Sequence, residues 1–271
     1  MSRMYQLYQD EKRQFIEAVH QSEALVKKST RPLGPGMPGT EIARLPDLPE
    51  LVRSYLEMAG FNERPLPKVA EVIWKESRIK LGPDKPWMAI KTKQCNTASP
   101  TARIAFMSAK MFGVLPFEGR DLYAQGRGHM LGKIAGLATV FDDQSEEIAK
   151  SGVVTVLAEA FLIPGILMLP GMTLESRDSL SIKARLTDQG LTAEGVFSFN
   201  AQGEVTSFVS EDRYYANPKG GNERRRWTAY SENYIEKDGV RFPSTVRAVW
   251  NLPEGDFEYW SGTIERVVYD L

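Results

Sequence analysis

The sequence predicts an α+β protein: a strongly curved antiparallel β-sheet, half-barrel-like, with helices packed in its mouth and a helical arm at the N-terminus. Three observations predict it. Residues 153–169, VVTVLAEAFLIPGILML, hold one charge, Glu159, and a Pro164-Gly165 break in seventeen residues. A membrane span needs about 20 apolar residues, so this stretch reads as a helix buried in a core and covered on most sides. About a hundred residues after it read as strand, turn, strand, with a glycine at most turns. In the last of these strands Phe257, Tyr259, Val267 and Tyr269 fall on one face, and Trp260, Ile264 and Val268 on the other, because successive side chains alternate. A sheet apolar on both faces is either sandwiched or curled, so that its concave face holds helices and a ligand.

In chain order, residues 4–28 have the periodicity of an amphipathic helix, with Tyr5, Tyr8, Phe15, Val19 and Val26 among its apolar positions. Residues 30–40, TRPLGPGMPGT, hold three prolines and three glycines and read as a linker. The expected division is therefore an arm and linker over residues 1–44 and a main domain over 45–271. A short helix follows in PELVRSYLEMAGF, with Leu51, Tyr55, Leu56 and Met58 on one broad face and Gly60 as its stop. Residues 69–81, 87–95, 102–112 and 119–128 read as four strands. Asp143 and Glu146 have capping-box spacing for the start of the central helix. Beyond it, residues 179–190, 191–203, 204–215, 224–239, 240–255 and 256–270 read as six strands. Their turns DQG, NAQG, KDG and PEGD suit tight hairpins, which makes a meander.

Composition narrows function mainly by exclusion. The 271 residues are 42% apolar and 25% charged with a net charge of -1, which gives no electrostatic reason to expect nucleic acid or an anionic membrane as partner. Cys95 is the single cysteine, so neither an internal disulfide nor a cysteine-based zinc site can form. A reducing compartment fits, and the N-terminus lacks the apolar run of about 7–15 residues of a signal peptide, so a cytoplasmic location is expected. HExxH, GxSxG and GxxxxGK[ST] are all absent, which removes the commonest hydrolase and nucleotide signatures. No metal and no cofactor are expected. Asp142, Asp143, Glu146 and Glu147 read as helix-start acids. QGRGHMLG (125–132) reads as a bulged strand edge, since no clear helix follows for a dinucleotide loop. NERRRW (222–227) reads as a solvated loop entering a strand.

Glu159 is the most informative residue, because an ionised carboxylate in apolar surroundings costs several kcal/mol unless it is paired or hydrogen-bonded. Arg213 is its expected partner, with Arg120 or Arg127 as substitutes. The pair is readable as a structural ion pair, as the polar anchor of a ligand cavity, or as catalytic. His129 is the candidate base. Trp74, Trp227, Tyr230, Trp250, Tyr259 and Trp260 serve either as core or as pocket lining, the polar tips of Tyr and Trp favouring a site with a few convergent polar groups. The predicted ligand-binding set is Tyr123, Glu159, Arg213, Trp250, Tyr259 and Trp260, with no catalytic residue assigned. The expected function is binding of a hydrophobic or amphipathic small molecule, such as a lipid, fatty acid or aromatic metabolite. The alternatives are an enzyme using Glu159 with Arg213 or His129 in acid–base chemistry, and a structural or partner-binding protein with a filled core. Oligomeric state is left open.

Five motifs in order, LPELVRSYLEMAG, GRDLYAQGRGHMLGKIAGL, LAEAFLIPGILM, EDRYY and GVRFPSTVRAVWNLPEGDFEYWSGTIERVVY, resemble those of a bacterial family of unknown function. The likeness spans about residues 48 to 269. Residues 104–106 and 172–174 depart from that pattern, which has a tryptophan in each place. The resemblance implies an order of motifs and no activity. More remotely, the expected curved sheet with helices in its mouth is similar to the half-barrel of periplasmic lipoprotein carriers, which hold acyl chains.

Overall fold

The computed structural model describes residues 2–28, 45–62, 64–111, 113–217 and 220–271; the expected linker at 30–40 lies outside the described residues. The α-helices described are α1 (Arg3–Lys28), α2 (Glu50–Met58) and α3 (Glu146–Ala158), none of them long and apolar enough to cross a membrane. The first run of strands is β1 (Val69–Ile79), β2 (Met88–Thr97), β3 (Ala102–Met111), β4 (Leu115–Ala124), β5 (Arg127–Ile134) and β6 (Ala138–Asp143). The second is β7 (Met172–Asp178), β8 (Ser181–Asp188), β9 (Leu191–Phe199), β10 (Val205–Ala216), β11 (Asn222–Lys237), β12 (Val240–Leu252) and β13 (Gly255–Tyr269).

All thirteen form one sheet in the order β6-β5-β4-β3-β2-β1-β13-β12-β11-β10-β9-β8-β7. Every neighbouring pair is antiparallel. The chain thus lays strands outward to one edge, crosses to the other edge through α3, and meanders back until β13 pairs with β1. The crossing element packs against strands of both wings, β5 and β4 on one side and β8, β9 and β10 on the other. This is the expected curved sheet, with a helix in its mouth.

The crossing helix is buried as its composition requires: Val153, Val154, Val156 and Leu157 are all 0% exposed. It ends earlier than the apolar stretch suggests. Ala158 is its last residue, Glu159 its C-cap, and a 3-10 turn at Pro164–Met168 completes the segment, because proline has no N–H to donate and clashes with the preceding turn. Its start also differs from expectation. Ser145 is the N-cap; Asp143 ends β6, and its Oδ1 accepts the Ser145 N–H at 2.9 Å.

Three strands escaped the sequence reading. QGRGHMLG is not a bulged edge: Gln125 (φ 52) and Gly126 (φ 75) form the turn between β4 and β5, the two positive φ angles of a tight hairpin turn. The edge strands β6 and β7 are mostly exposed and so lack an alternating apolar signal. NERRRW lies within β11 rather than in a loop, where Arg224 pairs with Asp212, Arg225 with Glu223 and Arg226 with Glu211.

The sheet is not apolar on both faces at β13. Register shifts fall between Ala248 and Val249 against β12 and around Trp74 against β1. Each is a bulge that inserts one residue and reverses which side follows. Tyr259 and Trp260 consequently both pack toward the main core, together with Phe257, Ile264, Val267 and Tyr269. The outer face is covered elsewhere. Met4, Tyr8 and Val19 of α1 form a second core with Val69, Cys95, Ile104 and Phe106, and Lys12 pairs with Glu71 at 2.6 Å.

Candidate functional site

On β3, Ile104 and Phe106 meet α1, so Arg103, Ala105 and Met107 face the concave side by alternation. There a cavity of about 210 Å³ lies between the sheet and the end of α3. Its apolar wall includes Trp74, Trp227, Tyr259, Trp260, Phe161 and Leu162, with Trp74 and Trp260 edge to face at 4.8 Å. The polar groups gather at Gln94, Arg103, Asp121, Thr155, Glu159 and Arg213.

The partner of Glu159 is Arg103, not Arg213. Arg103 Nε lies 3.1 Å from both Glu159 oxygens, and Nη1 donates to Asp121 at 2.8 Å. Asn96 Nδ2 donates to Glu159 at 2.6 Å, and Gln94 in turn donates to Asn96 at 2.9 Å. Burial opposes the charge on Arg103, but the Glu159 and Asp121 carboxylates more than offset it and hold its pKa above the ordinary value. One guanidinium thus serves two carboxylates.

Arg213 is placed differently. Its guanidinium lies 4.5 Å from the Trp227 ring centre and 5.7 Å from that of Trp250, and its Nη1 donates to Thr155 Oγ1. Its buried Nε has no partner.

Of the predicted set, Glu159, Arg213, Tyr259 and Trp260 line the cavity. Trp250 stands behind Arg213, stacked on Tyr259 at 5.8 Å. Tyr123 is buried beneath α3, where its hydroxyl donates to Asp188 at 2.7 Å, so it ties β4 to β8 rather than lining the cavity. His129 and Arg120 lie outside the cavity. Arg120 Nε donates to Glu11 of α1 at 2.6 Å and its Nη1 meets His129 Nδ1 at 3.0 Å, while His129 Nε2 meets Asp142 at 2.8 Å. Hydrogen bonding to His129 comes first among the causes that hold the Asp142 carboxyl below its usual range. Arg103, Asp121, Gln94 and Asn96 were missed. The signal for Gln94 and Asn96 was the polar residue at every second position of β2 through Thr92, Gln94 and Asn96; Arg103 is the one polar residue on its face of β3, and Asp121 lies on β4.

A separate open groove of about 1020 Å³ lies farther along β2 and β3, lined by residues of both strand faces, Met88 and Ile90 with Lys91, and Ala109 and Met111 with Lys110.

These features define a half-barrel: one curled antiparallel sheet with a helix across its mouth and a lined cavity beneath. The chain belongs to DUF6544, a family of unknown function, whose pattern matches residues 39–262. No curated protein matches it. Two solved structures are similar. A LolA superfamily protein from Nitrosomonas europaea is 11% identical with a TM-score of 0.40, over 80% of this chain and 92% of that one. A DUF1329 family protein from Desulfovibrio piger is 9% identical with a TM-score of 0.35, over 82% of this chain and 92% of that one.

Proposed function

We propose that the protein binds a hydrophobic or amphipathic small molecule in the concave cavity. The observation that carries this reading is the space itself: about 210 Å³ next to a helix whose core positions are fully buried. Interiors pack with few voids larger than a water molecule, and an apolar cavity of about 150 Å³ already accepts benzene. Aromatic walls with a few convergent polar groups are the usual make-up of a small-molecule site.

Acid–base catalysis by Glu159 finds less support, since both carboxylate oxygens are already engaged by Arg103 and one by Asn96. Titration with an environment-sensitive apolar dye tests the binding reading. Saturable binding near one-to-one, displaced by fatty acids, is expected; a dye signal that never saturates would sink it.

A further inference from the structure

We propose that the ligand is an anionic amphiphile whose acidic head is held by Arg213; this rests on the cavity being a ligand site. Among the described arginines that are not exposed, Arg103, Arg120, Arg225, Arg241 and Arg247 each pair with a carboxylate, and Arg213 does not. Among the described residues it has no ion-pair partner, although it lines the cavity. One of its five N–H groups is used, by Thr155. The faces of Trp227 and Trp250 hold the guanidinium plane by cation–π contact, which leaves its edge as donor. Those indoles fix the position of the charge without neutralising it.

A second observation points the same way. Trp74 Nε1, also on the cavity wall, is buried without a partner. The wall side chains left unsatisfied are thus both N–H donors, Trp74 and Arg213, and no wall acceptor is left in that state. A group rich in acceptor oxygens complements such a wall, and a carboxylate or phosphate matches the planar fork of arginine. The competing cavity carboxylates, Glu159 and Asp121, are already committed to Arg103, so they offer a cationic head no free partner.

Isothermal titration with octanoate, octanol and octylammonium, which share one chain and differ only in the head, decides the matter. Octanoate is expected to bind about tenfold or more tighter than octanol, the factor given by about 1.4 kcal/mol from a hydrogen bond to a charged group. Octylammonium is expected to be weakest. In Arg213→Met, which keeps an apolar side chain between the indoles, the octanoate preference should vanish while octanol binding persists. Octanol binding as tightly as octanoate to the wild-type protein overturns the anionic head and leaves the cavity reading standing. Failure of all three to bind overturns both. The wild-type comparison alone is decisive should Arg213→Met not fold.

Discussion

Arg103 on β3 reaches Glu159 at the end of α3, with Nε 3.1 Å from both carboxylate oxygens. The contact joins the crossing helix to the sheet at the cavity wall. Their side chains are 11% and 19% exposed, so solvent screens the pair only partly, and removing one partner of such a pair typically costs about 3–5 kcal/mol. Arg103→Met should therefore be strongly destabilised, and more so than Glu159→Gln, because it strands Asp121 as well as Glu159. The stranded carboxylates repel each other across the concave face. Denaturant melts of the two variants check it; equal loss in both would rule out the shared-cation arrangement.

The half-barrel was legible because its cause is local: tight turns between strands and one apolar stretch that had to be covered. The partner of Glu159 was not legible, since pairing across the concave face depends on how far the sheet curls. Arg213 lies on a strand that packs against α3 and was the nearest inward-looking charge by alternation, whereas Arg103 sits in ARIAFMSAKMF, where Ile104 and Phe106 draw attention to the opposite face. The two-sided β13 failed for a related reason. A bulge inserts one residue, and the period of two then changes sides without any mark in the sequence.

The arm can be probed through Cys95, which α1 covers with Met4, Tyr8 and Val19. Burial pushes its thiol up to about 12, with Lys12 lowering it and Glu71 raising it. A thiol with a raised folded pKa contributes full stability below its unfolded value of about 8.5, and that contribution is lost as pH climbs toward 12. Iodoacetamide at pH 8 should therefore leave native Cys95 unmodified. We further propose that residues 45–271 keep their fold when 1–44 are removed, because the main core excludes α1. In that deletion Cys95 should become reactive while the far-UV circular dichroism keeps its β signature. Loss of that signature would make the arm part of the folding unit.

The segment after α3 supplies the last prediction. Were the helix to continue, Phe161 O would accept from Gly165 and Leu162 O from Ile166. Instead the Gly165 N–H donates to Pro67 O at 3.1 Å and the Ile166 N–H to Ile163 O at 3.0 Å. A Cβ at Gly165 would lie 2.3 Å from that same Pro67 oxygen, so only glycine allows this approach. The two freed carbonyls are met by phenols: Tyr55 donates to Phe161 O at 2.8 Å and Tyr269 to Leu162 O at 2.9 Å. Burial raises both phenol pKa values; Tyr234 and Glu204 add to the rise at Tyr55, while at Tyr269 Tyr55 and Asp270 add to it and Arg64 opposes it, so both keep their protons well into the alkaline range. Their contribution is complete below the unfolded value of about 10 and falls as pH rises past it. Tyr55→Phe and Tyr269→Phe each leave a carbonyl without its donor, at about 1–3 kcal/mol, or a Tm lower by about 3–8 °C for a domain of this size. The side chains of Phe161 and Leu162 line the cavity, so the double variant should also bind the apolar dye more weakly. It should lose less stability than the wild type between pH 9 and 11, having two fewer buried phenols to ionise. Wild-type Tm and dye affinity in the double variant would mean that the Pro164 turn is held by its own backbone and not by the two tyrosines.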